Sequence, residues 1–237
     1  MGHASESQAA LALLLRRVSY GESDVVVTLF TDVLGRVSAL ARGARASRRR
    51  FSGTLEPMHT LRVRLAERAS SELLILSESS LAVPRRHLTG NLASLEAAGR
   101  ALGWIRHATA PHSREPRVWG LITNLLDQLD RDCSTRQPEH HLAHSGLALL
   151  GALGWGLELD QCVTCGRACS RGRSATIDPV RGGLVCRTCG GGPVRIDGPA
   201  RHRITEAIGG AETLLQSDTS RALLLVEQTL RAHASLP

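Results

Sequence analysis

Hydrophobic positions along the chain follow two periods in succession. As far as residue 76 they alternate with polar ones: Leu11, Leu13 and Leu15; then Val25, Val27 and Leu29; then Val37, Ala39 and Ala41, opposite Arg36, Ser38 and Arg42. Leu61, Val63 and Leu65 oppose Arg62 and Arg64, and Leu73 to Leu76 form a fifth, more continuous run. Period-2 spacing with one apolar side predicts strands. Turn-forming residues separate the runs at Tyr20 to Asp24, Asp32 to Gly35 and Gly43 to Gly53. Five short strands without an obvious intervening helix predict a small barrel. The five-stranded OB-fold is the economical form, and an SH3-like barrel is the alternative.

After Pro84 the period lengthens. Leu88, Leu92, Leu95, Leu102 and Ile105 fall on one helical face. Val118, Leu121, Ile122, Leu125, Leu126 and Leu129 do so more cleanly, with Pro116 suited to a first turn. Leu142, Leu149, Leu150 and Leu153 predict a third helix. Ile204, Ile208, Ala211 and Leu215 predict a fourth, and Leu223, Val226 and Leu230 a fifth. Stripes of this kind bury against one another, so the expected class is α+β in two domains: an OB-fold barrel over residues 1–82 and an α-helical bundle over 83–237. A polar, glycine- and arginine-rich insertion at about 158–194 interrupts the helices. No internal repeat of useful length is present.

Hydrophobic residues at 42% with 22% charged fit a globular chain, and no apolar run approaches bilayer length, so no membrane partner is expected. Met1 to Ala10 carries neither the basic stretch nor the cleavage signal of a secretory leader, so the expected compartment is the cytoplasm. There thiols stay reduced, and paired cysteines suggest a metal more than a disulfide. The net charge of +7 favours polyanionic partners. All 29 basic side chains are arginines, as a strong base-composition bias would also produce. Without lysine, the chain cannot form a Walker A loop, a Schiff base or a lysyl-nucleotide intermediate.

The sharpest local signal is Cys162-Val-Thr-Cys165 and Cys186-Arg-Thr-Cys189, two C-x2-C hooks with twenty residues between them. A two-residue gap turns consecutive thiolates onto one ion, and Gly166 and Gly190 follow the hooks as tight knuckles require. Four thiolates complete a tetrahedron and leave no position for water. The expected cofactor is therefore one structural Zn(2+), with iron in the same cage or a redox dithiol as alternatives. Cys169 competes for a ligand position on poorer spacing, and Cys133 lies outside the lobe as an ordinary packed or free thiol. Loss of the ion is expected to damage the C-terminal half first. Arg167, Arg171 and Arg173 could extend a basic surface onto the lobe.

The second signal is electrostatic. Between Arg36 and Arg64 stand eight arginines (Arg36, Arg42, Arg45, Arg48, Arg49, Arg50, Arg62 and Arg64) and one acid, Glu56. Arg45 to Arg50 fall in a loop between strands, suited to follow a phosphate backbone; the plain alternative is a solvated loop. On an OB-fold the nucleic-acid reading gains weight. Stacking platforms are scarce: only Tyr20, Phe30 and Phe51 are available, and Phe30 reads as core. Binding governed by charge, with little base preference, is the expectation. His140, His141 and His144 lack the glutamate of H-E-x-x-H and read as a solvated helix face. Asp127, Asp130 and Asp132, beside Arg131, read as the polar side of a helix more than as a nuclease cluster. No serine or cysteine has a recognisable base and orienting partner, so no catalytic residue is assigned.

Several of these segments together resemble a known family. Tyr20-Gly21-Glu22-Ser23-Asp24, Thr28-Leu29-Phe30-Thr31 and Gly35 are similar to the start of RecO, the bacterial recombination mediators. Arg42-Gly43-Ala44-Arg45, Leu55-Glu56-Pro57 and Leu153-Gly154-Trp155 continue the match up to the first hook, and Gly183-Leu184-Val185 leads into the second. Some members lack the cysteines, so the metal is read from this sequence. The resemblance implies a non-enzymatic protein of DNA repair, nucleoid-associated during repair. Such a protein binds single- and double-stranded DNA, anneals complementary strands, and acts with RecR on strands coated by single-strand binding protein. It also implies that the acidic C-terminal tail of that protein docks in a hydrophobic groove of the helical domain, and that the basic loop contacts DNA. Two other classes stand beside it: a zinc-ribbon regulatory factor that binds nucleic acid without annealing, and a metal-dependent nuclease using the aspartates.

Overall fold

Five strands close into a barrel in the computed structural model, which describes residues 7–47, 49–51, 54–68, 71–131 and 137–234. They are β1 (Ser7–Tyr20), β2 (Asp24–Thr31), β3 (Gly35–Ala41), β4 (Thr60–Arg68) and β5 (Ser71–Val83), in the order β1-β2-β3-β5-β4. Neighbours are antiparallel except β3 and β5, which run parallel where Ala39 meets Leu74 and Leu40 meets Ile75. This is the OB arrangement.

Alternation decides the interior of three strands as the sequence predicts: Val25, Val27 and Leu29, then Val37, Ala39 and Ala41, then Leu61, Val63 and Leu65 share one core. The first strand differs. Its inward residues are Ala10, Ala12 and Leu14, while Leu13 is buried on the other side, opposite Phe30. Both faces of β1 are apolar at this point, so counting by twos cannot choose between them. A register shift between Leu14 and Arg16 then resets the alternation. Phe51 and Leu55, from the segment after the arginine loop, complete the core. The fifth strand runs to Val83, beyond the apolar run, because its polar stretch pairs along β4, with Ser80 against Arg62 and Glu78 against Arg64.

The chain divides into two compact units, Met1–Cys133 and Ser134–Pro237. The first holds the barrel and the helices α1 (Arg86–Thr89), α2 (Leu92–Ala108) and α3 (Pro116–Arg131). The single helical face expected from Leu88 onward is broken at Gly90-Asn91. Asn91 caps α2 by accepting from the Ser94 amide at 3.0 Å, and Leu92 is left 72% exposed. Trp119 on α3 packs against Phe30 with ring centroids 5.8 Å apart, which takes Phe30 out of solvent on the outside of the barrel.

Arg85 is the buried joint of this unit. Its guanidinium pairs with Asp127 on α3 at 2.8 Å and donates to the Met58 carbonyl and the Thr60 hydroxyl, both at 3.0 Å. Asp130 accepts from the Leu88 amide at 2.9 Å and so holds the start of α1. Both carboxylates thereby have structural work; Asp132 lies outside the described residues.

The second unit contains α4 (Pro138–Ala152), a small sheet of β6 (Ala175–Asp178), β7 (Gly183–Leu184) and β8 (Val194–Ile196) in the order β7-β6-β8, then α5 (Gly198–Ile208) and α6 (Thr219–Ala234). α4 packs on α5 and α6. The fourth helix ends earlier than the stripe through Leu215 predicts. The chain leaves it at Gly209-Gly210, and Leu215 is half exposed. Asp218 replaces the missing turns: it accepts both Nε and Nη2 of Arg203, at 2.7 and 2.8 Å, and the Leu215 amide at 3.0 Å. Among the described residues no helix is long and apolar enough to cross a membrane.

Replacing Arg85 by methionine strands the Met58 carbonyl and the Thr60 hydroxyl and is expected to destabilise the first unit by about 3 kcal/mol; an unmoved urea midpoint would show that the joint is dispensable. The Arg203 pair holds the Asp218 carboxyl below its ordinary value of 3.8. A depressed carboxyl contributes stability that is complete above its unfolded value and lost as pH falls through the folded one. The second unit should thus weaken progressively below about pH 4, where the unfolded carboxyl titrates. Asp218→Asn, weaker at neutral pH, should show a shallower decline there by circular dichroism; an identical acid limb counts against this role.

Candidate metal centre and nucleic-acid interface

The four hook cysteines converge. The sulphur atoms of Cys162, Cys165, Cys186 and Cys189 all lie within 4.8 Å of one another, and they are the one such metal-binding group among the described residues. A thiolate–metal bond of about 2.3 Å gives a tetrahedron with edges of about 3.8 Å. The Cys165 and Cys186 sulphurs stand 3.8 Å apart. The set thus fits a single ion bound by sulphur alone. Cys169, the competitor by spacing, is outside the group; its backbone amide donates to the Asp160 carbonyl at 2.8 Å. Cys133 lies outside the described residues.

Local backbone geometry aims the sulphurs. Gly166 and Gly190 follow the hooks at φ +69° and +101°, a region that side chains with a Cβ avoid. The Gly166 amide donates to the Cys162 carbonyl at 2.8 Å, and the Cys189 and Gly191 amides both donate to the Cys186 carbonyl. Amides also point at sulphur: that of Cys186 lies 3.4 Å from Cys162 Sγ, and this donation is the main reason the Cys162 thiol is pulled down to about 5. The Cys186 thiol is lowered chiefly by a backbone hydrogen bond from Cys189. The last thiol, Cys189, crowded by Cys186 and Cys165, is pushed up to about 12. A bound cation would replace the protons these thiols still hold and draw all four into the thiolate form.

Within the lobe Leu157, Leu159, Ile177, Leu184, Val185, Val194 and Ile196 are buried, and Ile177 pairs with Leu184 and Val194 across the small sheet. Gly183 crosses the Glu158 backbone so closely that a Cβ there would sit 2.1 Å from its carbonyl oxygen. A feature that spacing did not reveal is Arg201 on α5, fully buried. Its guanidinium donates to the carbonyls of Leu159, Cys169 (3.1 Å) and Ser170 (2.7 Å) and pairs with Asp160 at 3.2 Å, fastening the lobe to the helix. Three of those acceptors are backbone, so no partner motif in the sequence could have announced the contact.

On the barrel the eight arginines separate by environment. Arg36 is half buried and donates to the Thr109 carbonyl at 2.9 Å, joining β3 to the end of α2. Arg62 and Arg64 alternate outward on β4, and Arg64 lies 3.7 Å from Glu78. Arg42, Arg45, Arg49 and Arg50 are exposed in the loop after β3; Arg48 lies outside the described residues. Arg45 donates to the Glu22 carbonyl at 3.1 Å and Arg50 to the Arg42 carbonyl at 2.9 Å. Carbonyl partners order these side chains without cancelling their charge. The Arg50 guanidinium also lies 5.3 Å over the buried Phe51 ring, which anchors the loop in the barrel core.

The histidines form no such cluster. His140 meets the Thr219 hydroxyl at 3.1 Å and His144 the Ala211 carbonyl at 3.1 Å, both contacts within the second unit.

An OB barrel with a basic loop, followed by helices and a lobe whose four sulphurs could hold a metal ion, places the chain among the OB-barrel proteins. The family model described as Recombination protein O N terminal matches residues 8–85, and that described as Recombination protein O C terminal matches residues 91–234. A DNA repair protein RecO of Anaeromyxobacter sp. (strain Fw109-5) is 40% identical over 177 residues, covering 75% of this chain and 68% of the relative. That of Myxococcus xanthus (strain DK1622) is 35% identical over 179 residues, covering 76% and 71%. That of Geobacter sulfurreducens is 35% identical over 155 residues, covering 65% and 62%. The chain belongs to the RecO family of DNA repair proteins.

Purified protein should carry one metal ion per chain by plasma mass spectrometry, and Cys165→Ser or Cys186→Ser should lose it and melt at lower temperature. Cys169→Ser should keep it. A hook variant that retained a full equivalent of metal would overturn the four-sulphur assignment.

Proposed function

We propose that this protein is a non-enzymatic recombination mediator that binds single- and double-stranded DNA and anneals complementary strands. In this reading it works in repair with RecR and with the C-terminal tail of single-strand binding protein. The observation that carries the proposal is the row of exposed, charge-retaining arginines on an OB barrel, in a chain of the RecO family. DNA contact is assigned to Arg42, Arg45, Arg48, Arg49 and Arg50 first, with Arg62 and Arg64 beside them; Arg36 supports the barrel's junction with α2 as well. The barrel segment, residues 1–82, is the DNA-binding part. RecR and the protein tail enter through the family alone.

Annealing needs no catalytic group. Arginines that neutralise two strands at once lower the repulsion opposing their approach, and base pairing supplies the driving force. Nothing in this scheme consumes a nucleotide, in keeping with a chain that has no lysine for a Walker A loop. Zinc is the ion proposed for Cys162, Cys165, Cys186 and Cys189, since a closed set of four thiolates suits its tetrahedral preference and leaves it a structural role. The nuclease alternative loses ground because Asp127 and Asp130 already serve Arg85 and the Leu88 amide.

Exchanging Arg48, Arg49 and Arg50 together for alanine should weaken DNA binding. It should also flatten the salt dependence on single strands, by about 0.7 in log–log slope for each phosphate that is no longer neutralised. An unchanged slope in a folded variant refutes the loop as the contact. Annealing of strands precoated with single-strand binding protein, with and without RecR, tests the mediator role. Binding without annealing would point to the regulatory-factor reading instead, and magnesium-dependent cleavage to the nuclease.

A further inference from the structure

The outer face of β1 beside the arginine loop carries apolar side chains that barrel formation leaves exposed, in line with a half-buried valine on β2 and a buried leucine on β3. Because Val25, Val27, Val37 and Ala39 point inward, Val26 and Leu40 point outward. The register sets Val18 against Val26, and Val26 against Leu40, making one row across three strands. Tyr20, on the same side of β1 as Val18, extends the row at the strand's end. Val18 is 43% and Tyr20 60% exposed, whereas Val26 is half-buried and Leu40, Phe30 and Phe51 are buried. Of the barrel strands' and loops' three aromatics, Tyr20 is thus the one open to solvent.

Positive charge edges the row. Arg16 precedes Val18 by one alternate position and is exposed; Arg42 follows Leu40 in the same way. The arginine loop is tied directly to the turn that carries Tyr20. The Arg45 amide donates to the Ser23 carbonyl at 3.0 Å and its side chain to the Glu22 carbonyl. Asp24, the cross-strand neighbour of Tyr20, accepts from the Gly43 amide at 2.7 Å and lies 3.3 Å from the Ser23 hydroxyl, so this acid is engaged in joining turn to loop.

We propose that Tyr20, with Val18 beside it, forms a base-stacking platform for single-stranded DNA, with the flanking arginines holding the phosphates. This rests on the DNA-binding reading above and adds to it a source of strand selectivity. Arginines on phosphates serve single and double strands alike. An exposed aromatic ring serves bases whose flat faces are free, and a duplex hides those faces in its own stack. The charge-only binding that the scarcity of aromatics suggests is therefore incomplete: one ring, placed where the arginine loop meets the sheet, is enough to register a base.

The test compares three ligands of equal length: an oligothymidylate strand, the same backbone with abasic sites, and a duplex. Tyr20→Ala should weaken binding of the oligothymidylate by about 5- to 150-fold, the range for loss of one stacked base. Its salt slope, its affinity for the abasic strand and its affinity for the duplex should stay as they are, and Tyr20→Phe should bind like the native protein. Equal loss on all three ligands would mean that Tyr20 only shapes the loop, and no loss on any would remove it from the interface; either result overturns the platform. In both cases native binding that remains steeply salt-dependent leaves the DNA-binding reading standing. Native protein that binds none of the three ligands overturns both.

Discussion

The barrel closes through a short parallel seam, where Ala39 and Leu40 of β3 meet Leu74 and Ile75 of β5. Every other strand pair is antiparallel and longer, so this seam decides whether five strands make a closed barrel or an open sheet with two bare edges. Closure commits the inward side chains to one core, in which small residues (Ala10, Ala12, Ala39, Ala41) make room for large ones such as Leu29, Leu61 and Leu76. It also sorts the outer surface. Part of it is covered by α3 through Phe30 and Trp119 and joined to the end of α2 through Arg36. Another part, around Val18, Tyr20 and the loop after β3, stays open. The region proposed to meet DNA is what the helices leave uncovered.

The second unit solves a different problem. Between α4 and α5 the chain is polar and rich in glycine, and its few apolar residues make a core too small to hold a fold without reinforcement. Two devices outside the apolar core supply that reinforcement. Four thiols are gathered at one point by amide donation and left-handed glycines, and Arg201 binds three carbonyls of the lobe from α5. A cation held by the four thiols would join the two hooks as the guanidinium joins its ring of oxygens.

How much of this is legible in the sequence depends on how local each cause is. The cysteine set is readable outright, because a two-residue gap and a following glycine are chemistry within four positions. β2, β3 and β4 are readable because one face of each is apolar and the other polar. β1 hides its inward face, since Leu13 and Leu14 are both buried, and only the bulge before Arg16 and the register with β2 separate them. The polar end of β5 and the two-residue β7 have no pattern of their own; pairing with β4 and β6 makes them strands. The end of the helix near Ile208 is obscured by an apolar stripe that Gly209-Gly210 interrupts. Least legible of all are the arginines. Arg36 and Arg42 belong to one strand and its turn, yet one is fixed by Thr109 and the other faces solvent.

An all-arginine composition makes that ambiguity intrinsic, because the same side chain suits both duties. Its planar fork carries five donors in fixed directions, so Arg85 can serve Asp127, Met58 and Thr60 together, and Arg201 can satisfy carbonyls and a carboxylate at once. A lysine ammonium has three donors around a point and could not span either ring of acceptors. At the surface the same guanidinium sits over an apolar neighbour, as that of Arg50 does over Phe51. What separates the two populations is the acceptors available to each. Where acceptors converge inside the fold, as around Arg85 and Arg201, the guanidinium is consumed by structure. Where the partners are single carbonyls of a solvated loop, as for Arg45 and Arg50, donors and charge remain for a polyanion. The candidate interface is therefore defined less by where arginines occur than by where the fold fails to use them up.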